Sequence, residues 1–410
     1  MNFQKIGLCG LGWLGVMGPG LVVMFADTDA GSIITAAQSG AVWGYRLLIW
    51  QFLLIPILFI AQELTVRLGL VTQKGHGELI LEKFGKAWAW LSVGTLLISC
   101  IGAIITELSG MAGVGLLLGV PVKITMLIAV VFLILITWTG SYLTVERVAI
   151  FLGLFELVFI VVAWMAHPTL SGVQKEMLEI PYTNKNYLYL LAGNIGAVIM
   201  PWMIFYQQSA VVDKGLKIKH LNIARFDTAL GAVVTQLVMA AVLMTTAATI
   251  GKTHPNTSLN TVHQITEALT PFLGKSIGEF CFAMGMLGAA LVAAIVVSLT
   301  AAWGLGEVLG YKRSLSHGLK DAPWFYSVYT LVLILGGIWV ASGVNLVNLS
   351  VAIEVMNAVL LPIVLGFLFF LACKALPSSY RPSKFYAIFL GVVLGITALF
   401  GLWAGLVGIF

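Results

Sequence analysis

Charged residues are scarce in this chain. Asp, Glu, Lys and Arg together form 10% of its 410 residues, whereas hydrophobic residues form 60% and the mean hydropathy is +1.02. Soluble domains carry about 25% charged residues, so this composition excludes a soluble globular protein and predicts an integral membrane protein. Because a spanning helix needs roughly 20 apolar residues, the chain has room for about a dozen helices and no separate soluble domain.

Cysteine is scarce, and the motifs of common enzymes are absent. The four cysteines lie far apart, which argues against a disulfide framework and against a zinc site. No Walker sequence, nucleophile elbow or paired-histidine motif occurs, so we expect neither an enzyme nor a cofactor. Lys and Arg are scattered singly over short loops; the net charge of +5 is therefore a topology signal, and we expect a lipid bilayer, no nucleic acid and no obligatory protein partner.

The sequence contains instead a series of apolar runs bounded by charged residues, Pro or Gly. Each run predicts a membrane-spanning helix, and the whole predicts an all-α integral membrane protein with one domain, 1–410. The eleven runs are 8–43, 46–66, 87–118, 124–140, 148–166, 187–212, 228–250, 276–304, 324–342, 344–373 and 385–409.

The basic residues predict the orientation of these helices, because cytoplasmic loops carry an excess of Lys and Arg. Alternate loops hold sixteen of the 22 basic residues if the N-terminus is cytoplasmic and the C-terminus external. These are Lys5, Arg67, Lys74, Lys83, Lys86, Arg147, Lys214, Lys217, Lys219, Arg225, Lys312, Arg313, Lys320, Lys374, Arg381 and Lys384. The other side holds Arg46, Lys123, Lys175, Lys185, Lys252 and Lys275.

Two of the runs are interrupted by residues that break helices. The first contains the polar segment 26–32 and the sixth contains Pro201. Helices one and six are five apart, which predicts two inverted five-helix repeats, 8–166 and 187–373, with residues 385–409 as an additional helix 11. Unwound backbone in a membrane must line an enclosed cavity, so the architecture implies a substrate.

The polar residues predicted deep in the membrane are acidic. A buried carboxylate is costly unless it is paired or protonated, and no Lys or Arg lies in the middle of a helix, so the interior favours a cation or a proton. Asp27 and Asp29 in the first interruption are the strongest candidates for ion binding. Polar contacts between helices remain an alternative for Glu156 and Glu279; the other deep acids are Glu107 and Glu354.

Several motifs resemble the NRAMP divalent-metal transporters, a family with the LeuT-like inverted repeat. In the first helix these are Gly18-Pro19-Gly20 and Asp29-Ala30-Gly31-Ser32, followed by Gln38, Gly40, Gly44 and Tyr45. The loop after helix two resembles the family in three short motifs, Gln62-Glu63, Arg67-Leu68-Gly69 and Val71-Thr72. Helix six resembles it in the segment 196–201, and helix ten resembles it in Leu349-Ser350. The resemblance covers nearly the whole chain.

The resemblance implies a metal site. Asp29 corresponds to the principal carboxylate ligand, the carbonyl of Ala197 to a backbone ligand and Met200 to a thioether ligand. Aligning helix six from Tyr206 instead shifts the match by one residue and removes the methionine from this role.

The departures from the family pattern bear on the choice of ion. Ser32 replaces an asparagine, Asn357 stands where the family commonly has glutamine, and Asp27 adds a second carboxylate. Mg²⁺ is held by one or two carboxylates and retained waters, whereas a thioether favours softer ions. We therefore expect Mg²⁺ ahead of Mn²⁺ as the transported substrate, as in the divergent NRAMP-related magnesium transporters.

Proton coupling in the family involves histidines in helix six and acids in helix three. Here helix six has no histidine. In helix three, Glu107 matches an acidic position of the family, but Gly110 occupies the position where a second acid is expected. We therefore expect a secondary transporter that carries divalent cations into the cytoplasm of a prokaryote through its inner (plasma) membrane, without proton coupling. The alternatives are a proton-coupled Mn²⁺/Fe²⁺ symporter with Glu107 on the proton path and, from another class, a sodium-coupled amino-acid symporter.

Overall fold

A computed structural model describes residues 15–139, 141–168, 170–254, 257–269, 275–315, 317–343 and 346–410. Residues 8–14 of the predicted run 8–43 therefore lie outside the described residues, as does the basic residue Lys5. The first half of the chain forms α1 Pro19–Asp27, α2 Ala30–Trp43, α3 Leu48–Thr72, α4 His76–Phe84, α5 Lys86–Leu117, α6 Val122–Trp138, α7 Tyr142–Gly153, α8 Val158–Met165 and α9 Leu170–Met177.

The second half of the described chain is helical as well. Its helices are α10 Lys185–Val198, α11 Pro201–Asp213, α12 Leu221–Ala248, α13 Ile250–Thr253, α14 Val262–Leu269, α15 Lys275–Leu309, α16 Pro323–Ala341, α17 Leu346–Lys374 and α18 Lys384–Ile409.

Nine helical stretches of the described chain are long and apolar enough to cross a membrane. The first of these, 30–72, has 43 residues and joins α2 to α3 through a short 3₁₀ turn at Gly44–Leu47. At a rise of 1.5 Å per residue it is about twice as long as one crossing requires. The helix α6 is apolar but shorter, with 17 residues.

Burial separates central from peripheral helices. The pair α10 and α11 is buried along almost its whole length. The helices α3, α5, α12, α15 and α17 pack around this pair and the pair α1 and α2. By contrast α6, α16 and α18 present large exposed apolar side chains such as Leu127, Ile338 and Phe385. An apolar outer face around a polar interior is the arrangement that a bilayer requires.

Basic residues meet at one end of the helix bundle, which we call the basic end. There Glu63 accepts hydrogen bonds from both Arg67 and Arg225. Two further ion pairs lie at the same end, Lys214–Glu146 and Arg313–Glu78. The basic residues of these pairs are among those that the basic-residue pattern assigns to one side of the membrane. The opposite end carries Arg46–Glu179 and the Lys185 contact to the Phe410 carbonyl.

Candidate metal site

The link between α1 and α2 carries the first candidate ligands. The helix α1 ends at Asp27 and α2 begins at Ala30, so Thr28 and Asp29 lie between two helix ends. Asp29 is the N-cap of α2, with an extended backbone, and its Oδ1 accepts the Ser32 amide at 2.6 Å. Asp29 is fully buried, and its Oδ2 accepts no hydrogen bond from any described residue. One carboxylate oxygen therefore holds the helix and the other is available to a ligand.

The link between α10 and α11 lies beside the first. In a continuous helix the N–H of residue 201 would bond the Ala197 carbonyl, but Pro201 has no N–H. The Ser32 hydroxyl donates to that carbonyl instead, at 3.2 Å. The structure thus brings together Asp29, Ser32 and the Ala197 carbonyl, three of the ligands expected from the sequence. Oxygen donors of this kind suit hard divalent cations.

Met200 has a partner within its own helix pair. It is fully buried as the N-cap residue of α11, and its sulfur accepts the indole N–H of Trp202 at 3.1 Å. One lone pair of the thioether is therefore directed at Trp202, which reduces what the sulfur offers to a soft ion.

Asp27 is held by α12. It is buried at the end of α1, and its Oδ2 accepts the Thr235 hydroxyl at 3.4 Å. The Thr235 hydroxyl also lies 2.6 Å from that of Thr28. The second carboxylate oxygen of Asp27, Oδ1, has no hydrogen-bond partner among the described residues.

Two further carboxylates approach the link from other helices. On α5, Glu107 accepts the Ala30 amide at 3.1 Å, and its Oε1 has no partner in the described chain. On α17, Glu354 lies against Gly31 so closely that a Cβ at residue 31 would collide with its Oε1. Glycine at position 31 therefore makes room for a carboxylate beside Asp29.

Asn357 is committed to Glu354 in this structure. Its amide nitrogen donates to Glu354 Oε2 at 3.0 Å, and its carbonyl oxygen accepts the Ser99 hydroxyl at 2.8 Å. The sequence predicted Asn357 as a ligand; its contacts are those of a residue that orients Glu354. Sequence reasoning placed Glu354 in the interior but left it out of the site, although the spacing of three residues to Asn357 puts both on one helix face.

The electrostatics of this cluster are unbalanced. Asp27, Asp29, Glu107 and Glu354 are close enough to repel one another, and none of them forms an ion pair with a basic residue of the described chain. Buried carboxylates of this kind require a cation or protons. Within the described ranges no three His, Cys, Asp or Glu side chains converge tightly enough to hold a metal ion on their own. A cation here would therefore also need carbonyl, hydroxyl or water ligands.

The two remaining acids differ from each other. Glu156, in the turn between α7 and α8, is fully buried and interacts with Thr28. Glu279 lies near the beginning of α15, within a stretch long and apolar enough to cross a membrane, and is partly exposed, so its place in the membrane interior stays a prediction.

Comparison with known proteins identifies the family. The family model described as natural resistance-associated macrophage protein-like (Nramp) matches residues 20–406. The chain belongs to the Nramp family. The resemblance seen in the sequence motifs is therefore confirmed, and membership of this transporter family agrees with the prediction that the chain is not an enzyme.

Proteins similar to this chain include a bacterial transporter and two solved structures. The divalent metal cation transporter MntH of Pectobacterium carotovorum subsp. carotovorum is 28% identical over 295 residues, 70% of this chain and 70% of the relative. The Eremococcus coleocola manganese transporter superposes with a TM-score of 0.75 at 19% identity, over 95% of this chain and 85% of that one. MhsT in complex with L-phenylalanine superposes with a TM-score of 0.63 at 14% identity, over 95% and 98%. These two structures establish the LeuT-like fold alone.

Proposed function

We propose that this Nramp protein carries divalent metal cations through the membrane into the cytoplasm. The observation that carries the proposal is the cluster of buried carboxylates without a basic partner, at the point where Ser32 joins one interrupted helix to the Ala197 carbonyl of the other. Asp29, Ser32 and Ala197 form the centre of the site, Asp27 and Glu354 supply further charge, and Asn357 orients Glu354. Two relatives, a divalent metal cation transporter and a manganese transporter, support the same substrate class.

Mg²⁺ is the ion we place first. The donors that converge on the α1–α2 link are carboxylate, hydroxyl and carbonyl oxygens, which suit a hard ion that keeps several waters. The soft donor expected from the sequence, the Met200 sulfur, already accepts the Trp202 N–H. Mn²⁺ comes second because it also accepts oxygen ligands and gains more from a thioether. This preference would place the chain in the magnesium-transporting branch of its family.

The architecture that fits this function has eleven crossings. Counting α2 and α3 as two crossings and adding α6 to the nine long apolar stretches gives that number. The pairs α1–α2 and α10–α11 are then the interrupted helices one and six of two inverted repeats, 8–166 and 187–373. With the basic end in the cytoplasm, the N-terminus is cytoplasmic and the C-terminus external, in a prokaryotic plasma membrane.

Transport without proton coupling is the form we propose. Between Pro201 and Asp213 the helix α11 has no histidine, and two buried glutamines, Gln207 and Gln208, stand in that stretch. A divalent ion gains about 4.6 kcal/mol per 100 mV on moving inward, so membrane potential suffices as a driving force. A proton-coupled Mn²⁺/Fe²⁺ symporter is the second candidate, because Glu107 is buried beside the site with one carboxylate oxygen unpartnered in the described chain.

The experiment uses purified protein in vesicles with Mg²⁺-, Mn²⁺- and pH-sensitive dyes inside, and a potassium gradient with valinomycin to set the potential. We expect saturable Mg²⁺ entry driven by a negative interior, weaker Mn²⁺ entry and no acidification of the lumen. Metal-dependent acidification that Glu107→Gln abolishes would instead establish proton symport. Sodium-driven uptake of an amino acid without metal entry would establish the third, unrelated class.

A further inference from the structure

A chain of polar contacts joins three helices beside the proposed site. Asn194 of α10 is fully buried, and its Oδ1 accepts a hydrogen bond from Nε2 of Gln51, on α3, at 2.6 Å. Its Nδ2 donates to the hydroxyl oxygen of Ser39, on α2, at 2.8 Å and to the Leu190 carbonyl at 2.6 Å. Both N–H bonds of the Asn194 amide are thus used, one within α10 and one between helices. Inside a membrane protein such contacts hold helices together, because an unsatisfied amide is costly there.

The Ser39 contact is a second polar contact between α2 and α10. The first is the bond from the Ser32 hydroxyl to the Ala197 carbonyl, at 3.2 Å. Ser32 and Ser39 are seven residues apart on α2, so they lie on one face of that helix. Asn194 and Ala197 are three residues apart on α10 and share a face as well. Two contacts between the same pair of helices restrict both the distance and the rotation of α10 relative to α2.

Glycines bring α10 close enough to its neighbours for these contacts. A Cβ at Gly193 would lie 3.2 Å from Cγ2 of Thr35, on α2. A Cβ at Gly196 would collide with the carbonyl of Glu354, on α17. Small residues let helices approach closely in a membrane. The helix α10 therefore has little space to shift on α2 and α17, and a contact that sets its rotation also sets the direction of its last carbonyls.

The Ala197 carbonyl needs support from outside its own helix. The helix α10 ends at Val198, and Pro201 offers this carbonyl no N–H. Asn194 lies one turn earlier in the same helix and bonds two other helices. It therefore limits how far the end of α10 can move when no ion is bound. A ligand that is already held in place costs less free energy to order when the ion binds.

We propose that Asn194 is a positioning residue for the metal site, which holds α10 on α2 and α3 so that the Ala197 carbonyl faces the ion beside Asp29. This inference rests on the proposed function and adds to it a residue that does not touch the ion. Its loss should weaken ion binding, because the carbonyl must then be ordered at each binding event. A role in stability alone would instead lower the amount of folded protein and leave the affinity of the remaining protein unchanged.

The test measures Mn²⁺ binding to the purified full-length protein in detergent, by equilibrium dialysis with radioactive Mn²⁺, and Mn²⁺ entry into vesicles. Asn194→Leu keeps the approximate volume of the side chain and removes its bonds to α2 and α3. We expect the Kd and the KM for Mn²⁺ to rise roughly threefold to tenfold, while the maximal rate per folded protein stays within about twofold. Thr397→Val is the control, because the buried Thr397 hydroxyl of α18 bonds the Val393 carbonyl of its own helix. This variant should change neither constant.

Ser39→Ala tests whether Asn194 acts through α2. It removes one of the two interhelical partners of Asn194, so it should raise the Kd less than Asn194→Leu does. Because the two residues form one contact, the double variant should have the Kd of Asn194→Leu alone. A double variant in which the two effects multiply would mean that Asn194 does not act through Ser39, and would overturn the proposed role. Ser39→Ala also keeps the test informative if Asn194→Leu folds poorly.

A wild-type Kd in Asn194→Leu would overturn the inference. So would a lower maximal rate with an unchanged KM, which would make Asn194 a residue of the fold alone. A wild-type protein that neither binds nor carries a divalent cation would overturn the proposed function itself. Metal binding by the wild type with no change in Asn194→Leu therefore refutes this inference and leaves the proposed function standing.

Discussion

Asp27 and Asp29 are two residues apart but have different partners. Asp29 uses one oxygen to cap α2, whereas Asp27 accepts a hydrogen bond from the Thr235 hydroxyl of α12. The Asp29 carboxylate thus both caps α2 and is a proposed ligand of the ion. The Asp27 carboxylate caps no helix in the described chain. For this reason the two residues should respond differently to substitution.

Asp27→Asn keeps the shape of the side chain and removes its charge. We expect Mg²⁺ uptake to fall by about tenfold and Mn²⁺ uptake to fall less, because the more tightly hydrated ion depends on surrounding carboxylates. The measurement is initial uptake into vesicles, with Asp321→Asn on the exposed surface as the control. Equal losses for the two ions would mean that Asp27 acts only as a general attractor of cations.

Met200→Ala tests whether the thioether faces the ion. Sulfur gains little from Mg²⁺, so we expect the KM for Mg²⁺ to stay within about threefold while that for Cd²⁺ rises. Met203→Ala is the matched control, because Met203 is equally buried on the same helix and reports the cost of lost packing alone. An unchanged KM for Cd²⁺ would show that the sulfur serves only Trp202, as expected from the helix-six alignment shifted by one residue.

The N-terminus of helix α1 is capped by a carboxylate from another helix. Asp227 on α12 accepts the amides of Gly18, Gly20 and Leu21 at 3.1, 2.7 and 3.3 Å, and so caps the beginning of α1. Gly20 packs so closely on Asp227 that a Cβ there would lie 2.7 Å from Oδ2. This contact fixes α1 against α12 at the basic end.

Removing this cap should loosen α1 without disturbing α2. A lost cap costs about 1–2 kcal/mol, so Asp227→Ala should speed amide exchange in residues 18–22 by roughly 5- to 30-fold. Hydrogen–deuterium exchange with mass spectrometry would compare peptides from α1 and α2 of the same sample. Unchanged exchange in α1 would show that other contacts hold it.

The short helix α4 docks on α11 through an imidazole. His76, outside the membrane-spanning stretches, is buried against Phe205, and its Nδ1 lies 2.9 Å from Gln208 Oε1. Burial lowers the pKa of His76 to about 4, against an ordinary value of 6.5. Between these values the unfolded chain binds the proton and the folded chain does not, so stability falls as the pH drops from 6.5 towards 4.

This linkage predicts a pH-dependent melting temperature. Between pH 7 and pH 5, protonation of His76 in the unfolded state should cost wild-type stability roughly 2 kcal/mol. His76→Gln should flatten the dependence, whereas His254→Gln, at an exposed histidine, should not. Identical slopes for all three proteins in thermal unfolding would show that His76 titrates normally.

At the element scale, much of the local structure was predictable from the sequence. The polar segment around Asp27 and Asp29 and the proline at 201 both predict interruptions, and α1 ends at Asp27 while α11 begins at Pro201. The contacts of Glu354 and Glu156 could not be predicted in this way. They depend on how distant helices pack, and no local pattern records which face of α17 meets Gly31.

At the scale of the whole molecule, the protein is a helix bundle that encloses acidic residues. Peripheral helices present apolar side chains to the outside, and the two central pairs join at Ser32 and Ala197. The composition predicted the membrane class, because a chain with so few charges has no other stable environment. Composition could not predict which ion is transported, because ion selectivity depends on a few atoms such as the Met200 sulfur.

The most direct test of the central claim is metal entry into vesicles that contain wild-type protein, Asp29→Ala or the surface control Asp321→Ala. The three proteins should be incorporated in equal amounts, and a dye inside should report Mg²⁺ under an inward-negative potential. We expect saturable entry with the wild type and the control, and no entry above empty vesicles with Asp29→Ala, although that variant elutes as a folded protein. Entry at the wild-type rate through Asp29→Ala would contradict the account.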